Sequence, residues 1–130
     1  MIYGRCNECF KILTNVSWCS FCIPRRFKRN FDKWTSGNKN IDKLIRDSQL
    51  SAKVFSELIE WFPYSRLTDV KFVAEGGFAK VYSAIWIDGY IEDWNQIFND
   101  WNRINNCKIA LKVFNSKHIL GEDFLNEVCK

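Results

Sequence analysis

Two close pairs of cysteines constrain this 130-residue chain more than any other feature. Cys6 and Cys9, then Cys19 and Cys22, form the pattern C-x2-C-x9-C-x2-C. Each pair predicts a tight knuckle that points two sulfurs at one centre, and two knuckles complete a tetrahedral site of four sulfurs. Such a site suits zinc, with bonds of about 2.3 Å. Four thiolates leave no open position for water, so the expected role is structural. So short a segment cannot bury an adequate core alone, and metal binding would supply the folding energy. The nine-residue spacer is shorter than the common ribbon spacing of roughly 15–20. Phe10 and Ile23 stand where a glycine commonly follows each knuckle, so the ribbon subtype stays open, as does the alternative of a disulfide pair. No apolar leader is read before Cys6, which predicts an intracellular protein, cytoplasmic or nuclear, where clustered thiols are more often metal ligands. No apolar run approaches the roughly 18 residues of a spanning helix, so no membrane partner is expected.

Charge is unevenly placed. The chain carries +4, yet residues 1–34 alone hold seven Lys/Arg against two Asp/Glu. A zinc ion held by four thiolates would add a net −2. The run Pro24-Arg25-Arg26-Phe27-Lys28-Arg29 has two readings. One is a nuclear signal or a nucleic-acid patch with Phe27 and Phe31 interleaved. The preferred one is an amphipathic helix with Phe27, Phe31 and Trp34 on one face and its cations outward.

Three zones follow from pattern. Residues 1–34 form the four-cysteine zinc-binding module with its basic helix. Residues 35–67 read as a helical linker, opened by the loop signature Thr35-Ser36-Gly37-Asn38. Asn40 is the predicted cap of a short helix carrying Ile41, Leu44 and Ile45. A second helical patch carries Phe55, Leu58, Ile59 and Phe62 and ends before Pro63. Residues 68–130 change period to strands and then a helix. Val70 to Val73, Val81 to Trp86 and Lys108 to Phe114 read as strands. Asp88-Gly89 fits a tight hairpin turn, but Tyr90, Ile91 and Trp94 still read as strand, which favours a longer ribbon turning near Asn99-Asp100. Glu122 to Lys130 reads as helix, with Phe124, Leu125 and Val128 on one face. The fold class expected is α+β: a small four-cysteine zinc-ribbon or knuckle module, short helices, then a twisted antiparallel sheet.

The strand zone carries a second constellation. Ala74-Glu75-Gly76-Gly77-Phe78-Ala79-Lys80-Val81 joins two strands, and glycines there let backbone amides approach phosphates. About thirty residues later, Ile109-Ala110-Leu111-Lys112 sets a lysine in an otherwise apolar strand, where a charge needs a partner. Phe124-Leu125-Asn126-Glu127-Val128 then offers a carboxylate. In this order the three stretches resemble the Gly-rich loop, the V-A-I-K strand and the helix-C glutamate of the eukaryotic-type protein kinase small lobe. Only the middle loop glycine is kept, as Gly76, with Ala74 and Ala79 at the other two positions. The wider pattern is similar to a large fungal group of kinase-like proteins with an N-terminal four-cysteine module. In that group Ala79 departs from a commoner glycine.

The resemblance implies a truncated protein kinase N-lobe over residues 68–130, with the start of helix C. It implies ATP, with Mg²⁺, as cofactor and a protein substrate in a longer form. Val73, Val81 and Ala110 match residues that enclose adenine. Gly76, Gly77 and Phe78 match the loop over the phosphates, Lys112 the phosphate-binding lysine and Glu127 its partner. Neither H-R-D-x-x-x-x-N nor D-F-G occurs in these 130 residues, so no catalytic residue is assigned and this chain alone is expected to be inactive. The competing readings are a zinc-dependent protein- or nucleic-acid-binding module on a non-catalytic kinase-like scaffold, and a fragment without a function of its own.

Overall fold

The computed structural model describes residues 3–114. The predicted helix from Glu122, with Glu127, lies outside them. The described chain is α+β, with two short α-helices and antiparallel sheets, and it divides into two compact units. One comprises residues 3–61 with 93–101, the other residues 62–92 with 102–114.

In the first unit the four-cysteine segment folds without regular strands. Isolated bridges pair Arg5 with Ile12 and Asn15 with Trp18. Helix α1 covers Cys22–Arg29 and stops at Asn30. Phe31 begins a separate 3-10 turn, Phe31–Lys33. The single amphipathic helix expected to carry Phe27, Phe31 and Trp34 is therefore broken after its second turn. The Asn30 side chain turns back to donate to the Arg26 carbonyl at 3.1 Å, a local bond that competes with helix continuation.

Helix α2 covers Lys39–Ser51 and begins one cap earlier than expected. Asn38, not Asn40, is the N-cap, and its side chain accepts from the amides of Asn40 and Ile41 at 2.9 and 3.1 Å. Ile45 is fully buried and Leu44 partly so. Inside the first turn, Asp42 is buried and accepts from Ser36 N, Ser36 Oγ and Thr35 Oγ1. These hydroxyls first, and Arg46 behind them, hold its carboxyl below the usual range.

The patch at Phe55 forms only a 3-10 turn, Phe55–Glu57, and runs extended from Leu58. Its apolar residues recur at helical spacing, but tertiary partners set the backbone. Phe55 lies edge-on to Trp18 at 4.9 Å and to Trp101 at 6.4 Å. Gln49 Nε2 donates to the Ile59 carbonyl at 2.9 Å, an acceptor that Pro63, lacking an N–H, could not have satisfied in a helix.

In the second unit β1 (Leu67–Glu75), β2 (Ala79–Trp86) and a strand at Cys107–Phe114 form one antiparallel sheet with β2 central. In sequence between β2 and that last strand comes a separate two-stranded ribbon, β3 (Ile91–Asn95) and β4 (Asp100–Arg103), whose residues 93–101 belong to the first unit, making the last strand β5. The ribbon turns at 96–99, where the sequence favours it, and Asn99 takes a left-handed φ of 54°. Asp88-Gly89 is a bend leading from β2 into β3. Gly89 has φ 74°, and a Cβ there would lie 1.6 Å from the Ile104 carbonyl oxygen. Only glycine fits. Arg66 braces this bend by donating from Nε and an Nη to both Asp88 oxygens at 2.9 Å, and Ile87 N donates to the Arg66 carbonyl at 3.0 Å.

The sheet has one core face. Ala84, Trp86 and Ile109 are buried together, with Phe62, Leu67, Val70 and Cys107 packed against them. Phe62 stacks on Trp86 at 4.3 Å between ring centroids. These positions alternate along β2 and β5, as a half-buried sheet requires.

Candidate functional site

The first candidate site is the sulfur cluster. The Sγ atoms of Cys6, Cys9, Cys19 and Cys22 all lie within 4.8 Å of one another. Cys6 approaches Cys22 at 3.8 Å and Cys9 approaches Cys19 at 3.5 Å. A zinc tetrahedron with bonds of about 2.3 Å has sulfur–sulfur edges of about 3.8 Å, so these separations suit one ion. All four are thiols rather than disulfides. Four cysteines so placed could hold a structural metal ion such as zinc.

The two halves of the cluster are built differently. At the first, Cys6 N donates to the Lys11 carbonyl at 2.9 Å, Phe10 N to the Cys6 carbonyl at 3.0 Å and Glu8 N to Cys6 Sγ at 3.4 Å. This turn needs a left-handed residue after Cys9, and Phe10 supplies it with φ 63°. At the second, Cys22 N donates to Cys19 Sγ at 3.3 Å and Ile23 N to the Cys19 carbonyl at 3.1 Å, and the chain enters α1 at once. Ile23 is helical, so no glycine is needed there. The helix thus accounts for the missing glycine at Ile23, whereas Phe10 occupies a conformation that favours glycine.

Burial is the largest influence on the thiols of Cys6, Cys19 and Cys22. It raises Cys19 and Cys22, helped at both by the neighbouring thiols. At Cys6 it also raises, but the amides of Cys9 and Glu8 and the thiols of Cys22 and Cys19 outweigh it and bring the group down to about 7. Leu13 packs against the cluster. Trp18 is 1% exposed, and its ring meets Phe55.

Sequence reasoning missed Arg26. Its guanidinium is buried, pairs with Glu8 between the first two cysteines, and lies 4.1 Å from the Trp94 ring centroid. It is thus not one of the outward cations expected along α1, whereas Arg25, Lys28 and Arg29 are exposed. Phe27 stacks on Trp101 at 4.9 Å, and Trp94 lies edge-on to Trp101 at 4.8 Å. Nothing local in the sequence signals these pairings, since 18 residues separate Glu8 from Arg26 and still more separate Phe27 from Trp101.

The second candidate site is the sheet face opposite the Trp86 core. β2 and β5 pair Val81 with Lys112 and Ser83 with Ala110. Alternation therefore puts Val81, Ala110 and Lys112 on one face. Val73 lies where β1 slips against β2, between Phe72 and Ala74, and is 59% exposed. The loop between the strands closes with Gly76 N donating to the Ala79 carbonyl at 2.9 Å, and Phe78 is 66% exposed. Neither Gly76 nor Gly77 has a positive φ, and a Cβ on either would meet nothing closer than 3.9 Å. The fold of this loop does not require glycine at either place. Glu127 lies outside the described residues.

Compared with protein-family models, with curated proteins and with solved structures, the chain matches none of them. Among the described residues no helix is long and apolar enough to cross a membrane.

Proposed function

We propose that residues 67–114 form the upper wall of a protein-kinase-type ATP site, carried on a chain whose four-cysteine cluster binds structural zinc. One observation carries the nucleotide reading. Val81, Ala110 and Lys112 share the sheet face turned away from the apolar core, beside a loop with two glycines that its own conformation does not need. An apolar pair next to an ammonium is what an adenine with attached phosphates requires. In this reading Val81, Ala110 and Val73 cover one side of the base. The amides around Gly76, Gly77 and Phe78 face the phosphates, and Lys112 neutralises charge on them. Mg²⁺ accompanies the phosphates. Glu127 is the proposed partner of Lys112, and a protein substrate belongs to a longer form.

One wall binds weakly, because the second side of the base stays in water. The expected dissociation constant is about millimolar, or near −4 kcal/mol. The test is amide NMR of this chain during titration with Mg·ATP to about 5 mM, a range chosen to match that affinity. Shifts should appear at Gly76, Gly77, Val81 and Lys112 and shrink severalfold in Lys112→Ala. Shifts absent from these residues, or unchanged in the variant, would refute the reading.

A further inference from the structure

The surface of the four-cysteine module carries a residue that neither conformation nor packing explains. Phe10 holds a φ of 63° at the knuckle position where glycine costs least, and a side chain in that region costs about 1–2 kcal/mol. Its ring gains little burial in return, for Phe10 is 70% exposed. A strained residue with an exposed ring points to an external contact.

Its surroundings say of what kind. The next residue, Lys11, brings Nζ to 4.8 Å from the Phe21 ring centroid, and the Arg25 guanidinium lies 4.7 Å from the same ring. Phe21 is itself 41% exposed. Arg5 donates from an Nη to the Phe10 carbonyl at 3.0 Å, so another cation stands beside the strained turn. Ile12, paired with Arg5, is 61% exposed. The acidic residue nearest in sequence, Glu8, is engaged with Arg26. The only other acid in residues 1–34 is Asp32. An open Phe10 ring beside three cations, with no acid in residues 3–25 other than the engaged Glu8, complements a ligand that offers flat bases and phosphates together.

We propose that this face binds single-stranded nucleic acid, with an unpaired base stacking on Phe10 and with Arg5, Lys11 and Arg25 neutralising adjacent phosphates. An acidic peptide would satisfy the cations but leave the Phe10 ring unused. A duplex would keep its bases stacked on each other. The site differs from the basic patch with Phe27 and Phe31 that the sequence suggested, because Phe27 is buried against Trp101.

Fluorescence anisotropy with labelled oligouridine tests this, using the full chain loaded with one equivalent of zinc. Neutralising three phosphates predicts a slope of log K against log salt of about −2, and Lys11→Gln or Arg25→Gln should each reduce it by about 0.7. Phe10→Gly is the decisive variant. It relieves the backbone, so its thermal stability should hold or rise, while affinity falls about tenfold. Affinity unchanged in Phe10→Gly, equal affinity for a duplex of the same charge, or equal affinity for oligoglutamate would each overturn the proposal. So would an absence of oligouridine binding at about 50 mM salt, where phosphate contacts are strong.

Discussion

The cysteine segment and the three-stranded sheet solve the same problem in different ways. Around the sulfurs, residues 3–23 have no regular strand and only isolated bridges. The turns are fixed by amides aimed at Sγ atoms and by left-handed residues such as Phe10 and Ser17. The four thiols converge, yet burial pushes two of them up, which without an ion favours the neutral forms. The sheet draws on apolar area and register. Its β2 and β5 pair continuously from Ala79–Phe114 to Trp86–Cys107, over a core of Trp86, Ala84 and Ile109. One region therefore gathers donors that could hold a ligand, and the other packs its own side chains.

Removing the metal should break that comparison most sharply. Elemental analysis should find about one zinc per chain, lost in Cys19→Ser with Cys22→Ser. Structural zinc in small modules contributes on the order of 10 kcal/mol. Chelation should therefore collapse amide protection in residues 5–23 while β1, β2 and β5 keep theirs. A metal-free protein with unchanged protection around the cysteines would refute the dependence.

The converse perturbation is Gly89→Ala. Its Cβ would fall 1.6 Å from the Ile104 oxygen, so the bend must shift, at a cost of about 3 kcal/mol or more in denaturant unfolding. Zinc content should stay at one per chain. A loss below about 0.5 kcal/mol, the level of a neutral surface change, would show that the bend is misdescribed.

Acid separates the two regions more gently. With zinc bound, protonating its thiolates would release it first, so the cysteine segment should lose order before the carboxylates titrate. Asp42, hydrogen-bonded by Ser36 and Thr35, and Asp88, hydrogen-bonded by Arg66, both have lowered folded values. Their stabilisation is complete above the ordinary carboxylate value of about 3.9 and is lost as pH falls through the lower folded values. Asp42→Asn and Asp88→Asn should each flatten the stability profile below about pH 4 and lower the melting temperature at neutral pH. A profile in either variant that keeps its full acid slope would remove that carboxylate from the account.

Much of this was legible in the residue order. The four cysteines at fixed short spacing had to meet within a few ångströms once the turns formed, and they do. The β-branched and aromatic content of Val81 to Trp86, and of the strand ending at Phe114, marked these strands, but the burial of Ala84 and Trp86 rather than Val81 and Ile85 was not readable from it. The ribbon turn near Asn99 was readable from its flanking strand residues. Helix limits were less legible. Asn38 and Asn40 are both good caps, and the bonds of Ser36 and Thr35 to Asp42 accompany the earlier start.

Tertiary structure alone decided the rest. The helical spacing of Phe55 to Phe62 gave way to Trp18, Trp101 and Gln49, partners distant in sequence that outweigh a weak local preference. Arg26 turned inward because Glu8 and Trp94 together offer what water would have given it. The need for glycine at Gly89, and its absence at Gly76 and Gly77, depended on which backbone passes nearby. Sequence period encodes which residues share a face, but steric clearance and the pairing of a buried charge depend on chain segments that only folding brings together.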